Sequence, residues 1–250
     1  MMNYEAVILD LDGTTVASRE GSLPSQRVID AVKKAQDKVH VVVATGRPYS
    51  YAVPIIEVLG LTGPGVFNGG AELRESSTGE IIRRQIISKA DMKELVRLSL
   101  PFGYDVYTDA EQYETPLKSP DDITEGASKL FIEAVRTNDA IHLLEELEAV
   151  ELASAHPTTS WMEGDVVDIH VTHSSATKKH GVERIISLLN TTKARTMAIG
   201  DSHNDIPMLE AAGFKVVMGN APEEVKAVAD YVTATLENDG VAEAIEKFIF

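Results

Sequence analysis

The stretch Ala6-Val7-Ile8-Leu9-Asp10-Leu11-Asp12-Gly13-Thr14-Thr15 decides how the remainder of the chain is read. An apolar run leads straight into two aspartates one residue apart, followed by a glycine and two threonines. Bounded in this way, the run predicts a short strand buried on both faces, with the acids beginning where it stops. Open α/β sheets bind ligands beyond the carboxyl ends of their strands, so the acids stand where chemistry is done. Asp10 and Asp12 are close enough to share a divalent cation, or for one to attack while the other moves a proton. A calcium loop is excluded, because the residues where it needs Gly and Glu, counted from Asp10, are Thr15 and Gly21. A solvated turn after a strand is the competing reading of this cluster alone, and motifs further along weigh against it.

Two more apolar runs end the same way. Val39-His40-Val41-Val42-Val43-Ala44 leads into Thr45-Gly46-Arg47-Pro48, with Pro48 suited to the first turn of a helix reaching about Leu59. The backbone N–H groups of that turn and the Thr45 hydroxyl form an anion site, or an ordinary helix cap. Met197-Ala198-Ile199-Gly200 leads into Asp201-Ser202-His203-Asn204-Asp205. Three such strands predict a parallel, Rossmann-like α/β sheet whose loops converge on one edge. Between them, Val16 to Ser22 reads as a loop, and Ser22-Leu23-Pro24 opens a helix carrying Val28, Ile29, Val32 and Ala35 at helical spacing. Beyond them lie a strand at Val216-Val217-Met218, a helix from Ala221 to Ala229, a strand at Tyr231-Val232-Thr233 and a last helix to Ile249. Gly63-Pro64-Gly65-Val66-Phe67-Asn68-Gly69-Gly70 is no dinucleotide loop: Asn68 stands in place of the third glycine, and the glycines precede their strand.

Texture changes in the middle of the chain. Strands are expected at Ile81 to Ile87, Tyr104 to Tyr107, Lys129 to Ala134 and Val166 to Val171, with helices at Lys89 to Leu100 and Asp139 to Leu147. This is an inserted α+β domain over residues 80–175, splitting the first domain into 1–79 and 176–250. His170 and His173, three apart on a strand, point to opposite faces and make a poor metal pair.

Composition narrows the function. The chain has 250 residues, 44% of them hydrophobic, and can bury a sizeable core. It has no cysteine, which excludes disulfides, a thiolate nucleophile and cysteine-ligated metals. No apolar run approaches the ~20 residues of a membrane span, and the N-terminus lacks the apolar region of a signal peptide, so a cytoplasmic protein is expected. A formal net charge of -16 argues against nucleic acid and anionic membranes as partners. A small anion is still admissible, since one bound cation and one lysine invert the local field.

Asp10-Leu11-Asp12-Gly13-Thr14, Thr45-Gly46-Arg47, Lys178 and Gly200-Asp201-Ser202-His203-Asn204-Asp205 resemble, in order, the four motifs of haloacid dehalogenase-like phosphatases. The insertion resembles the large C2 cap of the Cof-type (IIB) branch, as do Asn68-Gly69-Gly70 and Met218-Gly219-Asn220-Ala221. Ser202-His203 departs from the pattern, where many members carry a glycine. The resemblance implies that Asp10 is the nucleophile, forming an aspartyl-phosphate, and that Asp12 is the acid and base. It implies Mg2+ between Asp10, the Asp12 carbonyl and Asp201, with Asn204 and Asp205 behind them. Thr45, Gly46, Asn68 and Asn204 would serve the substrate, and Lys178 would bind its phosphate. The implied activity is a Mg2+-dependent phosphatase for small phosphorylated metabolites, sugar phosphates first. A phosphomutase or phosphotransferase using the same aspartate, and a phosphometabolite-binding protein without turnover, are the alternatives. The leaving group would be read from the inserted domain, with Trp161, Met162 and Glu163 as candidates.

Two lysines are adjacent at 178 and 179. With Thr177 as N-cap, both fall in the first turn of a helix whose apolar stripe is Val182, Ile185, Ile186 and Leu189. Lys178 precedes three of these by four, seven and eight residues and therefore points along the buried side, whereas Lys179 points toward the flank of Glu183. A lysine on that side needs an anionic partner, and Asp10, Asp201 and a phosphate would supply one.

Overall fold

The computed structural model describes residues 4–19, 21–110, 113–124, 127–160 and 162–250. In chain order the elements are β1 (Ala6–Leu9), α1 (Gln26–Ala35), β2 (His40–Val43), α2 (Tyr49–Leu59), β3 (Pro64–Phe67), β4 (Glu72–Glu75) and β5 (Ile81–Arg84). Then come α3 (Lys89–Ser99), β6 (Val106–Ala110), β7 (Tyr113–Leu117), β8 (Lys129–Arg136), α4 (Thr137–Glu148), β9 (Ala153–Thr159) and β10 (Val166–His173). The chain closes with α5 (Lys178–Leu188), β11 (Thr196–Gly200), α6 (Ile206–Ala211), β12 (Phe214–Val217), α7 (Glu223–Lys226), β13 (Tyr231–Val232) and α8 (Gly240–Phe248).

Two compact units result, one of residues 1–83 and 177–250, the other of residues 84–176. The first is α/β. Its five-stranded sheet has the order β13-β12-β11-β1-β2, and every pairing is parallel. Alternation along the strands fills a core on each face. Val7, Leu9, Val43 and Ile199 pack with Val32, Ile55 and Ile245 on one side. Ile8, Val42 and Ala198 pack with Val182, Ile185 and Leu209 on the other. Neither face of β1 meets water, which is why its sequence reads as an unbroken apolar run. Each large aliphatic side chain buried this way contributes about 1.5–3 kcal/mol.

A small sheet, β3-β4-β5, completes this unit, and a bridge between Ala44 and Val66 joins it to the end of β2. Pairing with β4 holds β5 up to Arg83 in the first unit, and the division falls before its last residue, Arg84. The expected strand through Ile87 stops at Arg84. The expected helix from Ala221 begins later, at Glu223 after Pro222 as N-cap, and α7 is a single turn ending at Lys226. Likewise α1 starts at Gln26, capped by the Ser25 side chain, a few residues after Ser22.

The second unit holds an antiparallel sheet of order β7-β6-β8-β10-β9. Its core takes Met92, Leu95 and Leu143 from the helices and Leu130, Ile132 and Ile169 from the strands. Two strands here were not expected, β7 and β9. Both are edge strands containing a proline, Pro116 and Pro157, which an edge tolerates and which masks the alternation. Of the candidate leaving-group readers, Trp161 lies outside the described residues, and Met162 and Glu163 are exposed.

The turn Asn68–Gly70 seats the start of α5. Gly70 has φ +113, and a Cβ there would stand 2.2 Å from the Thr177 carbonyl oxygen. Backbone on one side and left-handed φ on the other leave no way to relax. Gly70→Ala should therefore destabilise the protein by at least ~2 kcal/mol in urea unfolding followed by circular dichroism. A loss under ~0.5 kcal/mol would mean that this contact is soft.

Candidate active site

The chemistry-bearing residues are brought together by strand ends of the first unit. Asp10 follows β1 directly, and its N–H donates to the Ile199 carbonyl of β11 at 3.1 Å, which extends the ladder by one residue. Asp10 is 3% exposed. Beyond it the chain turns tightly: the N–H groups of Thr15 and Val16 both donate to the Leu11 carbonyl, at 2.8 and 2.9 Å. Gly13 has φ +80, and a Cβ on it would fall 2.2 Å from Asp201 Oδ2, so only glycine lets the turn close over that carboxylate. Thr14 Oγ1 donates to Asp201 Oδ1 at 2.7 Å, and Thr15 Oγ1 to the Asp10 carbonyl at 2.6 Å.

Lys178 lies between two acids, the expected Asp10 and, in place of the expected Asp201, Asp205. Its Nζ donates to Asp10 Oδ1 and to Asp205 Oδ1, each at 2.6 Å, and its side chain is 5% exposed. Lys179 points away, 43% exposed and 3.9 Å from Glu210. Asp205 Oδ2 accepts the N–H groups of Asp201 and Ser202, both at 3.0 Å, so both of its oxygens are engaged. Ser202, the departure from the usual glycine, adds its hydroxyl to Asp205 in a capping box, while His203 is exposed. Asn204 is exposed, its Oδ1 accepting from Ser202 Oγ at 2.7 Å.

The second anchor is Thr45-Gly46-Arg47. Thr45 is fully buried, its N–H on the Val66 carbonyl at 2.9 Å, and Gly46 is half-buried beside it. Asn68 has φ +50, and its N–H donates to the Arg47 carbonyl at 3.0 Å. Asn68 Oδ1 is buried without a hydrogen-bond partner among the described residues.

Two residues emerge that the sequence reading did not single out for a role. Arg47 grips Asp12 through Nε to Oδ2 at 2.8 Å and Nη2 to Oδ1 at 2.5 Å. Asn220 donates from Nδ2 to the Gly13 carbonyl and accepts the Leu236 N–H on Oδ1, both at 2.9 Å, tying the aspartate turn to the loop after β12. The signal for both lay in motifs already quoted, Thr45-Gly46-Arg47 and Met218-Gly219-Asn220-Ala221. The Asp12 carboxylate is thus held by Arg47 through both of its oxygens, and it is not among the acids that cluster around Lys178.

Oxygens of Asp10, Asp201 and Asp205 lie within 4.8 Å of one another. With only Lys178 among them, three ionised carboxylates leave two negative charges uncompensated, a setting that a divalent cation with oxygen ligands fits. Burial, then Asp205 and Asp201, push Asp10 well above the usual carboxylate range. Burial opposes the charge on Lys178, but Asp10 and Asp205 outweigh it and hold the lysine protonated. Asp201 is pushed up to about 6, chiefly by burial, with the Thr14 hydroxyl opposing and Asp205 adding to the rise. The cluster is a candidate cation site.

The first unit is thus an α/β core with a buried cluster of carboxylates at the ends of its parallel strands. A family model described as haloacid dehalogenase-like hydrolase matches residues 7–114 and 107–245. The phosphoglycolate phosphatase of Methanobrevibacter smithii is 28% identical over 254 residues, 99% of this chain and 100% of that protein. The 5-amino-6-(5-phospho-D-ribitylamino)uracil phosphatase of Bacillus subtilis is 28% identical over 253 residues, 99% of this chain and 97% of that protein. Among solved structures, a haloalkanoate-superfamily phosphatase from Bacteroides thetaiotaomicron shares 26% identity at a TM-score of 0.82, covering 99% of this chain and 96% of its own. The chain belongs to the haloacid dehalogenase-like hydrolases, and it is an enzyme of the phosphatase class. No helix among the described residues is long and apolar enough to cross a membrane.

The raised Asp201 carboxyl has a consequence for stability. Unfolded, an aspartate releases its proton near pH ~4; folded, Asp201 keeps it up to about 6. Within that window the folded state binds more protons, so the metal-free protein loses stability as pH rises, and the penalty is complete above about 6. Asp201→Asn lacks this charge. In chelator, the melting temperature of Asp201→Asn relative to the unsubstituted protein should therefore climb between pH 4.5 and pH 8, by ~2 °C or more. A difference that stays constant with pH would contradict the assignment.

Proposed function

We propose that the protein is a magnesium-dependent phosphatase acting on small phosphorylated metabolites, sugar phosphates first, through a phosphoryl group carried on Asp10. The observation that supports this reading best is the Lys178 ammonium held at 2.6 Å from both Asp10 and Asp205 at the ends of the parallel strands. It fixes one Asp10 oxygen and leaves the other to attack.

In the first half-reaction an Asp10 oxygen attacks phosphorus in line, the O–P bond forms and the ester P–O bond breaks. Asp12 gives its proton to the departing alkoxide. In the second, Asp12 takes a proton from water as that water attacks phosphorus, releasing inorganic phosphate and restoring the Asp10 carboxylate. Lys178, the Thr45 hydroxyl and the Gly46 amide would hold the non-bridging oxygens, with Asn68 beside them. Its unpartnered buried Oδ1 can only accept, which supports contact with a donor on the substrate such as a hydroxyl. Asp10, the Asp12 carbonyl and Asp201 would hold Mg2+, which when bound neutralises charge on the phosphoryl oxygens. Asp205, already bonded through both oxygens, would orient Lys178, and Asn204, which is exposed, would reach substrate.

Relatives named for phosphoglycolate and for a phosphoribitylamino-uracil are equally similar to this chain, so small phosphate esters as a class are the reading they support. Phosphate release across a panel of phosphorylated sugars, sugar alcohols and hydroxy acids with Mg2+ tests it. Turnover should appear with Mg2+ and vanish with chelator; no release from any member would refute the proposal. On the best substrate, Lys178→Ala should lower kcat/KM at least ~100-fold, as loss of a desolvated charge contact does. Lys179→Ala should stay within ~3-fold, as expected of a solvated side chain. The reverse pattern would move the phosphate contact to Lys179.

A further inference from the structure

In the proposed reaction Asp12 has the most exacting placement, because its carboxyl must meet the leaving oxygen first and the attacking water afterwards. Its surroundings offer little to hold it. It lies past the end of β1, in a turn, with its side chain 33% exposed. Packing does not fix such a side chain. What fixes it comes from another strand end.

Arg47 supplies both bonds, Nε to Oδ2 at 2.8 Å and Nη2 to Oδ1 at 2.5 Å, so one planar fork meets one planar carboxylate. The guanidinium is itself immobilised. Arg47 is 7% exposed, and its Nη1 reaches the Tyr51 carbonyl at 3.5 Å. Its N–H donates to Thr45 Oγ1 at 3.1 Å, and its carbonyl accepts the Asn68 N–H at 3.0 Å. The arginine is therefore locked at backbone and tip by the loop that follows β2, and it passes that rigidity across to the loop that follows β1.

A buried ion pair is weak evidence for a stabilising role, since apolar packing often does as well. Two-point orientation is what a guanidinium fork adds and what an ammonium cannot. We propose that Arg47 is a positioning residue for Asp12, fixing the plane and reach of the carboxyl that serves the leaving group. This rests on the phosphatase mechanism proposed above. It makes Arg47 act through Asp12, and it sets this arginine apart from the residues that would grip phosphate.

A double-substitution cycle separates the two roles. The unsubstituted protein, R47A, D12A and R47A/D12A are compared by kcat/KM with Mg2+, on an alkyl phosphate and on 4-nitrophenyl phosphate, whose leaving group needs little protonation. Inhibition by inorganic phosphate is measured alongside. R47A should lose at least ~10-fold more on the alkyl ester than on the aryl ester, the signature of impaired proton delivery. Removing Arg47 from D12A should cost less than ~3-fold further, because the two act as one unit. Inhibition by phosphate should shift by less than ~3-fold. R47K should fail to restore alkyl turnover, and it carries the same comparison should R47A not fold. Equal losses on both esters, additive with D12A and accompanied by weaker inhibition by phosphate, would overturn the proposal and make Arg47 a phosphate ligand. If D12A itself left alkyl turnover intact, the mechanism would fail at Asp12 and Arg47 would have nothing to position.

Discussion

One ammonium group organises the site. Lys178 is almost fully buried and bonded to two carboxylates that come from different strand ends, Asp10 after β1 and Asp205 beyond β11. Burying a lysine is costly unless its charge is met, and removing one partner of such a pair leaves the other uncompensated, at about 3–5 kcal/mol. The fold meets this demand by construction. β1 and β11 are parallel neighbours, which places Asp10 and the Asp201–Asp205 turn on the same edge. Helix α5 begins at Lys178, held by the Thr177 cap and by Gly70 pressed against the Thr177 carbonyl.

The same cluster carries more acid than it can neutralise. Asp10, Asp201 and Asp205 share a single lysine, and Asp10 and Asp201 have their carboxyl groups pushed up by burial first and by Asp205 in addition. Stability alone does not favour such an arrangement. It makes sense as a place prepared for a cation and for a phosphate brought in by that cation. Asp12, two residues from Asp10, escapes the cluster because Arg47 draws it away. Two carboxylates two residues apart thereby receive different environments, one held by an ammonium in the interior, the other partly in solvent on a guanidinium fork. That difference is what the proposed mechanism uses, with one as nucleophile and the other as proton carrier.

Much of this was legible in the sequence, for physical reasons. Apolar runs at Ala6–Leu9, Val39–Ala44 and Met197–Gly200 mark strands buried on both faces, and the acids after them mark the sheet edge. The phase of one helix distinguishes Lys178 from Lys179, because a stripe of apolar residues fixes which side is buried. What pattern alone hid were features set by partners distant in sequence. The edge strands β7 and β9 carry prolines and no clean alternation, since an edge does not require either to be avoided. Arg47 and Asn220 act through residues 35 and 207 positions away, and nothing in their local sequence names Asp12 or Gly13 as partner. The short helix after Pro222 and the early end of β5 are boundary effects of capping and pairing.

Two relatives of equal similarity, named for different phosphate esters, share this core across nearly their whole length. The proposal that this chain passes the phosphoryl group through the aspartate after β1 is the claim on which the rest depends. Acid quenching during turnover with Mg2+, followed by proteolysis and mass spectrometry, addresses it directly. A phosphoryl adduct on the peptide carrying Asp10, formed within one turnover and absent in Asp10→Asn, is the predicted result. A phosphoryl group on another residue, or steady turnover by Asp10→Asn, would contradict the account.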